Sequence, residues 1–269
     1  MGQKEWETVA IVLGVVDHPN LVKLIGYCVE DNELLLVYEH MVNGSLRDHL
    51  PSGTQTPLPW TVRLKVAQGI ASGFTYLHEQ LDSQIIVGEF NPSDILLDDQ
   101  WKAKISNFGW AELRPQEGRS HVWTTFTGLG TEGYVAPEGP HTSMSDVWSY
   151  GVFLYELITG RRPIDRGQPL KERMLIEWVK PYVESKRFNQ ILDPRLQEGN
   201  DPLKSAEKLS NLADKCLSAN PKLRPKMSEV LVMVNQIITD MLQAVRPASP
   251  QVLQVAPGLE KSFCRSYTG

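Results

Sequence analysis

The sequence predicts an α+β chain: a short upper part of one helix and about two strands, followed by a mainly helical body. Three observations carry this. Apolar residues recur at helical spacing in several separated stretches, two strand-like runs lie close together near the start, and periodicity vanishes after about Val245, where Pro, Ser and Gln accumulate.

Taken in order, Trp6, Val9, Ala10, Leu13 and Val16 mark a first helix that His18-Pro19-Asn20 stops. Two strands are expected at 21–29 and 34–41, joined by the polar turn Glu30-Asp31-Asn32-Glu33. Past a Gly/Pro/Thr-rich loop, Val62, Val66, Ile70, Phe74 and Leu77 form the stripe of a long helix. A second long helix runs through 145–158 with Val147, Gly151, Leu154 and Ile158 on one face, and a third follows Pro225 with Met227, Val230, Val234, Ile237 and Met241. The apolar stretch 174–179 is either a buried helix face or a docking surface.

The chain has 269 residues, 41% hydrophobic and 22% charged, enough for a real core in one large domain or two small lobes. A net charge of −5 leaves no basic footprint for nucleic acid. Cys28, Cys216 and Cys264 are an odd, scattered set that fits free thiols in a reducing compartment better than disulfides or a zinc site. No apolar run reaches the ~18 residues a membrane span needs. The run Val9–Val16 is preceded by Glu5 and Glu7 and followed by Asp17-His18-Pro19-Asn20, so it reads as a buried helix face instead of a signal peptide.

Several segments then fall in a fixed order: HPNLVKLIGYC (18–28), LLVYEHMVNGSL (35–46), RLKVAQGIASGFTYLHE (63–79), DILLD (94–98), KISNFG (104–109), GTEGYVAPE (130–138), SDVWSYGVFLYELITGRRP (145–163) and NPKLRP (220–225). Together they resemble a eukaryotic protein kinase, most closely the plant receptor-like cytoplasmic kinases, over roughly residues 4–242. The resemblance implies a kinase-like fold with a mainly helical lower lobe at 42–242, a remnant upper lobe at 1–41, and a disordered tail at 243–269.

What the resemblance implies about chemistry is uneven. The family's glycine-rich phosphate loop and lysine strand should precede the first helix and do not occur in this sequence. Gly128, Gly130 and Gly133 match G-x-G-x-x-G, but at the position of the activation segment. Val9 stands where the helix glutamate pairs with that lysine; with no lysine, a buried glutamate there would be an unpaired charge. In IIVGEFNPSDILLDD (85–99), Gly88 takes the place of an arginine, Glu89 that of the catalytic aspartate, Asn91 that of a lysine and Asp94 that of the metal-binding asparagine. Asn107 replaces the metal-binding aspartate of the DFG triplet. Asp94 and Asn107 read as an exchanged pair that keeps the family's charge, so they are weak candidate metal ligands, while for Asp94 and Glu89 the preferred reading is solvated loop acids. Glu39 and Met41 fall on the hinge that meets adenine. Thr124, Thr125, Thr127 and Thr131 sit where kinases are phosphorylated.

The bracing positions of the family are present. Leu13, Leu24, Val87 and Phe108 fall on its hydrophobic spine with Asp146 at the base, and Glu138 and Arg224 on its buried ion pair. From this imbalance the sequence is read as a pseudokinase, not an enzyme: a scaffold, decoy or adaptor in receptor-linked signalling, with plant immunity as the family's context. No cofactor is expected, weak Mg-ATP binding being left open. The partners would be a kinase or receptor of a signalling complex, and the location the cytoplasm, free or peripheral at the plasma membrane. Two alternatives stand beside this: a residual Ser/Thr kinase using Glu89 as base and Asp94 for metal, and a truncated fragment without function of its own.

Overall fold

A computed structural model describes residues 2–30, 33–50, 57–88, 90–115, 131–139, 142–196 and 202–245. Glu89, Thr124, Thr125, Thr127, Gly128, Gly130, Cys264 and the tail beyond Val245 lie outside the described residues.

The first helix, α1 (Gln3–Val15), buries Trp6, Thr8, Val9, Val12 and Leu13. The sequence stripe missed Thr8 and Val12 and included Ala10 and Val16, which are only half-buried. The helix lies one notch round from the predicted face because Trp6 turns toward the sheet: its ring meets Tyr27 edge-on at 5.7 Å, and its Nε1 donates to the Leu35 carbonyl at 3.3 Å.

That sheet pairs β1 (Leu24–Glu30) with β2 (Glu33–Tyr38) antiparallel, with a register irregularity between Leu24 and Gly26. Both strands are shorter than expected. Residues 21 and 22 leave the ladder to bond with Ile105, and beyond Tyr38 the pairing continues only as the Glu39 N–H bond to the Lys23 carbonyl. Cys28 opposes Leu35 and Gly26 opposes Val37. All but Gly26, which is half-buried, are exposed, so this face of the sheet is uncovered among the described residues.

The body is built on α2 (Trp60–Thr75), α3 (Ser143–Thr159), α4 (Leu175–Glu184), α5 (Leu203–Cys216) and α6 (Met227–Val245). Helix α2 packs on α6, and α3 packs on α5. The α2 and α6 stripes are as the spacing predicts, with Val62 and Met241 at their half-buried margins. Helix α3 is apolar nearly all round and buried nearly all round. Helix α6 runs to Val245, so residues 243–245 belong to the lobe, not to a tail. In α4, Leu175 and Val179 are buried and Ile176 and Trp178 half-buried, so most of the apolar 174–179 face is core and, of its apolar residues, Met174 alone is exposed.

Four short strands escaped the sequence reading: β3 (Ser83–Ile86) with β6 (Glu112–Pro115), and β4 (Ile95–Leu97) with β5 (Ala103–Ile105). At three or four residues each they are too short to display a period. Their task is positional, because the loops between them carry the site.

Two glycines govern close approaches. A Cβ on Gly69 would lie 2.5 Å from Asn20 Nδ2, which itself donates to the Ala103 carbonyl at 2.8 Å, so a bare helix surface lets α2 touch that junction. Gly160 ends α3 in the left-handed region (φ +66°), its N–H donating to the Glu156 carbonyl at 2.8 Å. A Cβ there would lie 2.5 Å from Asp193 Oδ2. That carboxylate holds fully buried Arg63 at 2.7 Å and Arg195 at 2.7 Å, and Arg63 also donates to the Leu58 and Leu157 carbonyls.

A candidate kinase-type catalytic centre

Strand β3 delivers the chain into the loop at Val87 and Gly88. Their N–H groups donate to Asp146 Oδ2 and Oδ1, both at 2.9 Å, and His78 Nε2 lies 2.8 Å from the same carboxylate. Asp146, at the start of α3, is buried and fully engaged, so it fixes the loop's backbone without acting as a reagent. Phe90 then anchors the loop below, edge-on to Phe74 at 5.0 Å and to Phe153 at 5.5 Å.

The next turn is local chemistry. Asn91 Oδ1 accepts from the Ser93 N–H at 2.9 Å, and Pro92 pre-sets the 3-10 turn at Pro92–Asp94. Asp94 is 6% exposed. Its Oδ2 accepts from Asn91 Nδ2 at 2.5 Å, its Oδ1 from Asn107 Nδ2 at 2.9 Å, and its carbonyl from Ser106. Asp94 is therefore not a solvated loop acid. Asn107 sits at φ +60°, a conformation its short polar side chain tolerates, and so brings its carboxamide onto Asp94. The two residues predicted as an exchanged pair are a contacting pair.

Around them stand the aliphatic positions. Val9, Leu13, Val87 and Phe108 are buried in one core with half-buried Leu24 against it. Val9 thus occupies its site as packing, not charge. Met41 is buried, and Glu39 accepts two hydrogen bonds from Lys104 Nζ, both 2.7 Å, and one from the Lys23 N–H at 2.8 Å. Partial burial raises the Glu39 carboxyl, and the Lys104 and Lys23 bonds outweigh it, holding it below the ordinary value. The Glu39–Lys104 pair spans 65 residues and gave no local signal in sequence.

Arg224 Nη2 donates to Glu138 Oε2 at 2.9 Å, Nη1 bonds the other carboxylate oxygen and the Met144 carbonyl, and Nε donates to Ser218 at 2.8 Å. The guanidinium lies 5.0 Å from the Trp148 ring. Thr131 is within 3.4 Å of Asn91 Nδ2. Gly133 meets Pro163 and Ile164, so it is a packing glycine rather than part of a phosphate cradle. Among the described residues there is no group of three or more His, Cys, Asp or Glu placed to hold a metal, and no helix long and apolar enough to cross a membrane.

A helical lobe with a loop bolted to a buried aspartate, an acid–amide pair beneath it and a carboxylate–guanidinium brace is the catalytic side of a protein kinase. The chain belongs to that family: residues 4–234 match the protein kinase domain. It is 56% identical over 246 residues to serine/threonine-protein kinase PCRK1 of Arabidopsis thaliana, covering 88% of this chain and 58% of the relative. Serine/threonine-protein kinase PCRK2 of the same plant is 54% identical over the same shares. The EPD1-interacting receptor-like cytoplasmic serine/threonine-protein kinase 5D of Gossypium barbadense is 46% identical, over 88% of this chain and 52% of the relative. The chain spans between about half and three fifths of these relatives' length. Their names overturn the expectation that the chain stands outside the enzymes: the relatives it matches are named serine/threonine-protein kinases.

Proposed function

We propose that the chain works in receptor-linked signalling as a protein-binding member of the serine/threonine kinase family, an adaptor or scaffold built on the kinase lobe and acting in the cytoplasm. The observation that carries this reading is the coexistence of a polar-braced lower lobe with an uncovered apolar sheet face, since an exposed apolar patch on an otherwise well-packed protein marks a contact site. Two Gossypium barbadense relatives named EPD1-interacting receptor-like cytoplasmic serine/threonine-protein kinases support a protein-partner role. Proximity labelling with the full chain fused to a biotin ligase in plant cells tests it. Enrichment of receptor-complex proteins over a free ligase is expected, and a labelling profile equal to that of the free ligase overturns it.

A second reading is favoured by the Asp94–Asn107 contact and the relatives' names: serine/threonine phosphotransfer with Glu89 as base. Asp94 and the Asn107 carbonyl oxygen are hard oxygen donors of the kind Mg²⁺ takes. A bound metal would neutralise phosphate charge, while the chain's part is to hold the carboxylate in place through Asn91 and Asn107. Saturating Mg-ATP at a hundred times its dissociation constant would stabilise the fold by about 2.7 kcal/mol, a melting shift of a few degrees. Transfer of labelled phosphate that persists in Asp94→Ala would sink this reading.

A further inference from the structure

The Asn91 side chain is held on every side. Its Oδ1 accepts from the Ser93 N–H at 2.9 Å and from Arg47 Nη2 at 3.2 Å. Its Nδ2 donates to Asp94 Oδ2 at 2.5 Å and to Thr131 Oγ1 at 3.4 Å. A carboxamide has two acceptor lone pairs and two donor protons, so the side chain is saturated and only one orientation satisfies it. Turned over, it would set its oxygen against the Asp94 carboxylate and its NH₂ group against two donors.

The charged partner on the oxygen side is Arg47, which reaches the loop from 44 residues earlier in the chain. Its Nε also donates to Ser93 Oγ, so adjacent nitrogens of one planar fork hold two loop residues together. The arginine stands on a fixed base. The 3-10 turn Leu46–Asp48 buries Leu46 completely. Just before it, the Leu97 N–H donates to the Gly44 carbonyl at 2.9 Å and the Asn43 N–H to the Leu97 carbonyl at 3.1 Å. Strand β4 therefore carries both ends of this arrangement, because Asp94 immediately precedes it.

A cation on an amide oxygen draws electron density toward itself and makes the amide protons stronger donors. The positive charge of Arg47 thus acts on Asp94 through the Asn91 amide. Asp94 Oδ1 is held at the same time by Asn107 Nδ2 at 2.9 Å, so the carboxylate is oriented from two sides. We propose that Arg47 is a positioning residue for Asp94: it fixes which way the Asn91 carboxamide faces and keeps the carboxylate turned to Asn107. Arg47 lies outside the 85–99 loop, and only the fold brings it there. The inference rests on the second reading above, in which Asp94 is a metal-holding carboxylate, and names a residue that sets its geometry.

Two-dimensional proton–nitrogen NMR of the full chain tests it, with the Asn91 and Asn107 side-chain amides assigned by their loss in Asn91→Ser and Asn107→Ser. Arg47→Met keeps the stem and removes the fork. In that variant both amides should move toward the positions of exposed carboxamides and exchange with water roughly tenfold faster. Arg47→Lys should restore part of the signature, because one ammonium cannot span both acceptors. Lys65→Ala, on the exposed side of α2, should leave it unchanged. Ser93→Ala separates positioning from simple stapling of the loop: it removes the Nε contact alone and should shift the amides far less than Arg47→Met. Mn²⁺ added by itself should broaden both amides in the unsubstituted chain, and Arg47→Met should need severalfold more of it. Unmoved amides in Arg47→Met, equal shifts in Ser93→Ala, or an equal Mn²⁺ requirement with the amides displaced would each overturn the proposal. If Mn²⁺ leaves the unsubstituted chain unbroadened, the metal reading falls, and the amide shifts then decide the role of Arg47 by themselves.

Discussion

The lower lobe and the upper sheet are held together by different physics. In the lobe, Arg63, Asp193 and Arg195 form a network in which Arg63 has no exposed surface, and Arg224 is pinned by Glu138 and two carbonyls. In the sheet, Tyr27 is 65% and Val37 51% exposed, and cohesion comes from one ladder, the Trp6 contact and half-buried Leu24 and Leu36. Buried charges that lose a partner are expensive, whereas exposed apolar side chains that are trimmed cost almost nothing. The lobe is therefore intolerant of change and the sheet is free to vary with whatever it touches.

The largest effect should follow Arg63→Ala, which leaves Asp193 with Arg195 alone, removes the donor to two carbonyls and should cost about 3–5 kcal/mol in urea unfolding. Arg224→Ala comes next at about 2–3 kcal/mol, because Glu138 keeps part of its hydration. A loss below ~1 kcal/mol in either would break the comparison, since the lobe would then owe its stability to apolar packing alone.

A pH effect sharpens the contrast further. The Glu156 carboxyl ordinarily titrates near 4.5 and is held up to about 8 in the fold, burial being the main cause. Between those values the folded state binds the proton more tightly than the unfolded chain, so stability falls as pH rises through that window. Melting followed from pH 5 to pH 9 should show this decline, flattened in Glu156→Gln. The smallest effect belongs to Val37→Thr in the sheet, within ~0.5 kcal/mol. A loss several times larger would mean that the exposed face is packed in the intact protein.

How much of this was legible beforehand follows from range. Long helices announced themselves through spacing, and Glu138, Arg224, Asp94 and Asn107 through their places in a family motif. The Arg63–Asp193 bond joins residues 130 apart and Lys104–Glu39 residues 65 apart, so no window of sequence contains both partners. The burial of Asp94 was hidden for a related reason: an acid in a polar loop looks solvated until Asn107 arrives from the next hairpin. Val12 and Thr8 were missed because only the folded chain reveals which way Trp6 leans.

Gly160 carries a consequence for inheritance. Every missense change in its codon adds a side chain where Asp193 already stands, and at a backbone angle that side chains resist. Such alleles would lower the melting temperature by disturbing the Asp193–Arg195 pair, without touching the Asp94–Asn107 pair. One codon far from any chemistry thus offers geneticists a thermal switch over the whole protein.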